Sequence, residues 1–251
     1  MRPNILGCEV DNLDMEETLA RIEGFIASGR PHQHVVVNAD KVVKAHRDAE
    51  LRGVINRCDL INADGMPVVW ASRLLGKPLK GRVTGVDLFF RLVERAAERG
   101  WGVYFLGARE EVVTQLVETL QKRHPQLRIA GHRNGYWKPE EEAGVAGAIG
   151  ESGAQLLFVA ISSPKKEEFL AAYQASMRVP FAMGVGGTFD VATGRVKRAP
   201  RWMQHSGFEW FYRFLQEPRR MFRRYFIEDM FFFWLLARAM FTEEKRDSAV
   251  A

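Results

Sequence analysis

From residue 14 to about residue 185 the chain alternates between two hydrophobic periodicities. Short apolar runs rich in Val, Ile, Leu and Phe are bounded by Gly, Asn, Asp or Pro, and they read as buried strands. Between them lie longer stretches with apolar positions three and four apart, the spacing that turns one helix face into a core. Asp14 with Glu17 three residues later predicts a capping box, opening a helix that runs to about Ser28. The β-branched run VVVN (35–38) predicts the first strand of a core, a helix follows from Lys41 to Arg52, and LINAD (60–64) predicts the next strand. Gly65-Met66-Pro67 then turns the chain into another helix. The alternation repeats as helix 85–99, strand 101–107, helix 110–124, strand 127–131, helix 140–151, strand 155–162, helix 165–175 and strand 180–186. Single helices between strands imply right-handed crossovers and parallel pairing. The expected fold is α/β: a Rossmann-like, mainly parallel sheet with helices on both faces.

Beyond about residue 190 the pattern changes. No further strand is predicted, and aromatic residues crowd in: Trp202, Phe208, Trp210, Phe211, Tyr212, Phe214, Phe222, Tyr225 and Phe226, followed by IEDMFFFWLLARAM. Residues 195–225 hold nine basic side chains against two acids, a net +7, which leaves −2 for the rest of a chain that totals +5. Basicity therefore belongs to one segment, and such a segment seeks anions. The expected organisation is an α/β core over 1–194 and a helical, basic-aromatic appendage over 195–251. Two readings of the appendage follow from composition: a helix lying in a membrane interface, or a helical hairpin that packs its aromatics on the core and leaves its arginines in water. The last residues, TEEKRDSAVA, are expected to fray.

With 47% apolar and 27% charged residues the whole chain has the balance of a soluble globular protein. The opening MRPNILGCEVDNLD lacks the apolar core of a signal peptide, and no run reaches roughly 18 uncharged apolar residues. A cytoplasmic protein is expected, peripheral on the inner face of the cell membrane. Cys8 and Cys58 form no CxxC pair and read as small buried hydrophobes.

In open parallel sheets, ligands sit beyond the carboxyl ends of the strands. The polar residues just after each predicted strand are thus the candidates: Asn38 and Asp40, Asp64 and Gly65, Gly107, Asn134-Gly135-Tyr136, the run Ser162 to Glu167, and Gly184 to Asp190. Asp64, between a buried strand and a Gly-Met-Pro turn, reads equally as a general base for a sugar hydroxyl and as the N-cap of the next helix. Gly184-Val185-Gly186-Gly187 reads as a phosphate-cradling turn or as a tight turn needing positive φ. Lys165 and Lys166 at a helix start sit against the positive end of the dipole; they read as cations for a bound anion or as a solvated surface pair. Walker, HExxH, GxSxG and DxD motifs are absent, so no metal site is expected; were the chain a sugar-nucleotide transferase, protein cations would have to stabilise the departing diphosphate.

Taken in order, VVNAD (36–40), NADGMPVVW (62–70), GRVTGVDLF (81–89), YFLGA (104–108), NGYW (134–137), SSPKKE (162–167), GVGGTFDVATGRVKRAP (184–200) and EWFYRFLQEPRR (209–220) resemble the WecG/TagA/CpsF family, glycosyltransferase family twenty-six. The resemblance spans about residues 5 to 225. It implies an inverting, metal-independent transfer, without a cofactor, from a UDP-sugar to a polyprenyl-diphosphate-linked saccharide in cell-surface or exopolysaccharide synthesis. The base it implies falls on Asp64, with Asn38 and Arg82 beside it. Nucleotide binding falls on Gly107, Tyr136, Gly184, Gly186, Gly187 and Asp190. Substrate binding falls on Lys165, Lys166, Arg213, Arg220 and Arg223, the three arginines closing over the diphosphate. The appendage is expected to dock at the membrane surface, and to protect a homo-oligomeric form away from it.

Two departures stand out. Many members carry Thr where this chain has Val36, and Gln where it has Lys166. A hydroxyl and an amide are replaced by an apolar group and a cation, so a hexose or uronic acid donor is as much to be expected as an N-acetylhexosamine. The rival class is an α/β binding module whose basic aromatic tail grips nucleic acid, with affinity falling steeply with salt; the resemblance implies no nucleic acid. An NAD-dependent sugar-nucleotide enzyme is disfavoured, because VNADKVVK at the first βα crossing has no glycine fingerprint.

Overall fold

The computed structural model describes residues 2–205, 208–216, 218–223 and 229–247; within them the side chains of Arg201, His205, Arg213, Arg220, Met221, Arg223 and residues 242–247 lie outside the description. A short antiparallel ribbon, β1 (Asn4–Ile5) and β2 (Cys8–Glu9), precedes helix α1 (Met15–Ser28). Six strands then form one sheet: β3 (His32–Val37), β4 (Leu60–Ala63), β5 (Val103–Gly107), β6 (Ile129–Arg133), β7 (Leu156–Ala160) and β8 (Phe181–Gly184). Every pair is parallel and the order is β4-β3-β8-β7-β5-β6. The crossovers are α2 (Ala39–Arg47) with α3 (Ala49–Asn56), α4 (Met66–Leu74) with α5 (Gly85–Arg99), α6 (Glu110–Arg123), α7 (Glu142–Glu151) and α8 (Lys165–Met177). The α/β fold is thus as the periodicity predicts.

Local chemistry explains the boundaries. The Asp14 and Glu17 side chains cap α1 reciprocally, and Gly29 ends it in the left-handed region at φ 67°. The expected helix over 41–52 is instead two helices. Asp48 leaves helical geometry (φ −127°, ψ 106°) and its carboxylate accepts from the amides of Glu50 and Leu51, so it starts α3. Strand β3 begins three residues before the expected VVV run, because His32, Gln33 and His34 are buried despite their polarity.

Alternation along the strands sorts the core into two faces. Val103 and Phe105 of β5, Leu156 and Phe158 of β7, and Phe181 and Met183 of β8 meet α1, α5 and α6 on one face. On that face Phe89, Phe105, Phe158 and the later Phe189 form a ring cluster with centroids 4.7 to 6.2 Å apart. Each fully buried ring contributes about 2–3 kcal/mol by area. Under α1, His34 Nε2 pairs with Asn62 Oδ1 at 2.9 Å, and Asn62 donates to Thr18 at 3.1 Å. On the opposite face, Tyr104, Leu106, Leu157 and Val159 meet α7 and α8. Val35, Val37, Ile61 and Ala63 meet α2, α3 and α4 there, in a cluster that also holds both cysteines. Burial pushes the Cys8 and Cys58 thiols up to about 11 and about 12, so they act as hydrophobes.

The chain continues as α9 (Thr188–Ala192), α10 (Arg201–His205), α11 (Glu209–Gln216), α12 (Pro218–Arg223) and α13 (Asp229–Asp247). Much of the tail expected to fray is therefore helical, up to Asp247. Helix α13 packs on α2 and closes the second face with Phe232 and Leu236, while Phe231 receives the Arg47 guanidinium at 4.9 Å. Other aromatics stay exposed, among them Trp202, Phe208, Phe222 and Trp234. One stripe of the tail is core, as the packed reading expects, and another faces solvent. No described helix is long and apolar enough to cross a membrane.

Candidate active site

Because all six strands run the same way, their carboxyl ends share one edge. At about 4.8 Å per strand the edge runs roughly 24 Å from β4 to β6. The predicted site residues of the first 194 positions fall along it.

At the β4–β3 end stand Asn38, Asp64 and Arg82. Asn38 caps α2, its side-chain oxygen accepting from the Lys41 amide at 2.9 Å. The Asp64 amide donates to the Val37 carbonyl at 2.8 Å, which binds the two strand ends together. Asp64 is not the N-cap of α4: that place belongs to Gly65, at φ 118°, which suits only glycine. The Val83 amide donates to the Ala63 carbonyl at 2.9 Å, so Arg82 and Asp64 each stand one residue from the same hydrogen bond.

Gly184 ends β8 and leads into the turn Val185-Gly186-Gly187. The turn is pinned on both sides: the Val185 amide bonds to Val159 at 2.9 Å, and buried Phe189 anchors α9 in the ring cluster. Gly186 and Gly187 are exposed, Gly186 at φ 53°, and nothing lies within 4 Å of where their Cβ atoms would be. The turn therefore presents open backbone to a ligand. Asp190, on α9, is half-buried beside it.

The two lysines after β7 part company. Lys165 pairs with Glu142 at 3.4 Å and lies over the Trp137 ring at 4.8 Å. Lys166 is not the solvated residue a surface pair would require; it is 7% exposed, with its ammonium 3.6 Å from Glu167. Lys41, at the start of α2, is equally buried and reaches the same Glu167 oxygen at 2.7 Å. Burial alone would raise the Glu167 carboxyl, but the charges of Lys41 and Lys166 outweigh it and hold it below the usual range.

At the far end, Gly107 (φ 125°) bends β5 so closely over β7 that a Cβ would stand 2.4 Å from the Ala160 carbonyl oxygen. Ala108 bonds to Ala160 and Gly135 to Ala108, closing a backbone floor under β5, β6 and β7. Tyr136 rises from this floor, 69% exposed, its amide held by the Asn134 side chain at 2.9 Å. An exposed ring on a rigid base can stack on a planar ligand.

The appendage meets the edge through charge. The Arg82 guanidinium donates to the Gln204 carbonyl and approaches Glu209 at 3.4 Å. Arg198 grips Asp87 with both terminal nitrogens and reaches Glu209 at 3.3 Å. Burial would raise the Asp87 carboxyl, yet hydrogen bonds from Arg198 and Thr84 hold it below the usual range. Arg213 lies on α11, and Arg220 and Arg223 on α12, but their side chains lie outside those described. Sequence reasoning singled out neither Lys41 nor the Arg198–Asp87–Glu209 clasp. For Lys41 the available signal was a lysine in the first turn after a buried strand, where a solvated residue is the ordinary expectation. Among the described residues, no group of three or more His, Cys, Asp and Glu is placed to hold a metal ion.

A doubly wound parallel sheet, with a carboxylate, amides, open glycine backbone and cations along its strand ends, is the arrangement in which α/β enzymes bind their ligands. Sequence comparison then gives the particular family. The profile of the glycosyl transferase WecG/TagA/CpsF family matches residues 3–246; the chain belongs to that family and is a glycosyltransferase. It is similar to an N-acetylglucosaminyldiphosphoundecaprenol N-acetyl-beta-D-mannosaminyltransferase of Bacillus spizizenii (strain ATCC 23059 / NRRL B-14472 / W23). The two are 37% identical over 186 residues, 74% of this chain and 72% of the relative.

Proposed function

We propose that this protein transfers a sugar from a UDP-sugar to a polyprenyl-diphosphate-linked saccharide, by an inverting, metal-independent route. The observation that carries the reading is the meeting of Asp64, Asn38 and Arg82 at adjoining strand ends, in a chain of this family. The relative's name supports a diphosphoundecaprenol-linked N-acetylglucosamine as acceptor. Hexose, N-acetylhexosamine and uronic acid are the donor classes in contention. UDP lies along the edge, its base and ribose near Tyr136, Asp190 and Gly107, its diphosphate by Gly184, Gly186 and Gly187. Asp64 takes the proton from the acceptor hydroxyl, which attacks the anomeric carbon opposite the leaving UDP.

Arg213, Arg220 and Arg223 neutralise the departing diphosphate, assisted by Arg82 and Lys165; loss of one such group costs on the order of 10²-fold in rate. The appendage over 195–251 supplies these arginines to the core over 1–194. Its exposed aromatics hold the protein on the cytoplasmic face of the membrane, where the acceptor lies. Closure on lipid excludes water from the donor.

The test is a panel of UDP-sugars offered with a short polyprenyl-diphosphate-N-acetylglucosamine, read by mass spectrometry with and without EDTA. One donor is expected to add its sugar mass, with EDTA leaving the rate unchanged. No product from any donor would overturn the reading. Inhibition by EDTA that manganese reverses would overturn its metal-free part alone.

A further inference from the structure

Lys41, Lys166 and Glu167 make up a second polar centre, set into the sheet edge between the ends of β3, β7 and β8. All three are buried, Glu167 with only 1% of its surface exposed. Both ammonium groups converge on Glu167 Oε1, while Oε2 is buried without a hydrogen-bond partner. The neighbouring Ser163 hydroxyl faces Glu167 but completes no hydrogen bond of ordinary geometry. Two buried cations against one carboxylate leave a net charge of +1. An uncompensated buried charge is costly, and an anion brought to it would offset that cost.

The fold makes room for this charge. The Lys166 stem runs across Gly184, where a Cβ would come within 2.4 Å of its Cε. Only glycine lets that chain cross to the strand end, next to the open Gly186-Gly187 backbone. Burial pushes the Lys166 ammonium down to about 8, and the like charge of Lys41 adds to the effect while Glu167 opposes it. Lys44, the next cation on α2, is already paired with Asp40 at 3.0 Å.

We propose that Lys166, with Ser163 beside it, is a subsite for an oxyanion of the donor, and that Lys41 and Glu167 are the positioning pair that holds it there. The inference rests on the sugar-nucleotide reading of the edge and adds to it the group that is bound. Two parts of a donor carry that chemistry: the diphosphate, and the carboxylate of a uronic acid.

The experiment titrates the full chain and its Lys166→Gln variant with UDP, UDP-glucose and UDP-glucuronate by calorimetry. A loss of about tenfold or more for UDP in the variant assigns the subsite to the diphosphate. A loss of that size for UDP-glucuronate, with UDP and UDP-glucose within about twofold, assigns it to the sugar carboxylate. All three ligands within about twofold of wild type would overturn the subsite and leave the transferase reading intact. Wild-type protein that binds none of the three would overturn the transferase reading itself. If the variant does not fold, the wild type supplies its own test. Near about pH 8.5 a lysine titrating at about 8 must take up a proton to meet an oxyanion, in a field set by Lys41, Lys44 and Glu167. Proton uptake on binding UDP or UDP-glucuronate supports the subsite, and its absence for both overturns it.

Discussion

Gly107 combines a positive φ with the closest backbone approach among the described glycines. At φ 125° any side chain is strained, and a Cβ would stand 2.4 Å from a backbone oxygen of the neighbouring strand. Gly107→Ala is expected to cost about 3 kcal/mol or more, read as a shift in the urea midpoint. His34 contributes a pH dependence. It is fully buried, and burial lowers it from 6.5 to about 4, with the Asn62 hydrogen bond opposing. Between those values the unfolded chain binds a proton that the folded chain refuses. This stability is therefore fully present above 6.5 and is lost as pH falls through about 4, to the extent of about 3 kcal/mol. Across urea melts, the stability of wild type relative to His34→Gln should fall by about 3 kcal/mol as pH is lowered from about 6.5 to about 4. At this scale the sequence was readable where polarity interrupts a buried run, as at Asn38 and Asp64. Lys41 escaped because the carboxylate that lets it be buried lies 126 residues away.

Among the elements, five of the six strands follow from periodicity alone, since each has a buried apolar run of its own; the edge strand β6 (IAGHR) has no buried residue. The break at Asp48 was less visible: the helical spacing continues through it, and only the local capping bonds end α2. Helix α13 shows the limit of composition as a guide. Phe232 and Trp234 stand two residues apart in one aromatic run, yet Phe232 is fully buried and Trp234 is 50% exposed. Phe232→Ala is expected to cost about 3 kcal/mol in a thermal or urea melt. Trp234→Ala should stay within about 0.5 kcal/mol, and under the proposed membrane role it should weaken co-sedimentation with anionic vesicles.

For the molecule as a whole, alternation of strand and helix gives a parallel sheet but not its order. The passage from β4 at one edge to β5, four places along, is set by which faces the intervening helices cover. Which strand ends share an edge nevertheless follows from direction and not from order. The segment was legible as a concentration of positive charge, whereas its attachment through Arg82, Arg198, Asp87 and Glu209 needed the folded chain. All of these features lead to one chemical claim, that the carboxylate of Asp64 activates the acceptor beside a sugar nucleotide laid along the strand ends. Side-by-side mass-spectrometric turnover and UDP calorimetry on wild type and Asp64→Asn test it directly. Turnover should drop by about 10³-fold or more with UDP affinity held within a few-fold; a variant that still transfers sugar at near wild-type rate would contradict the account.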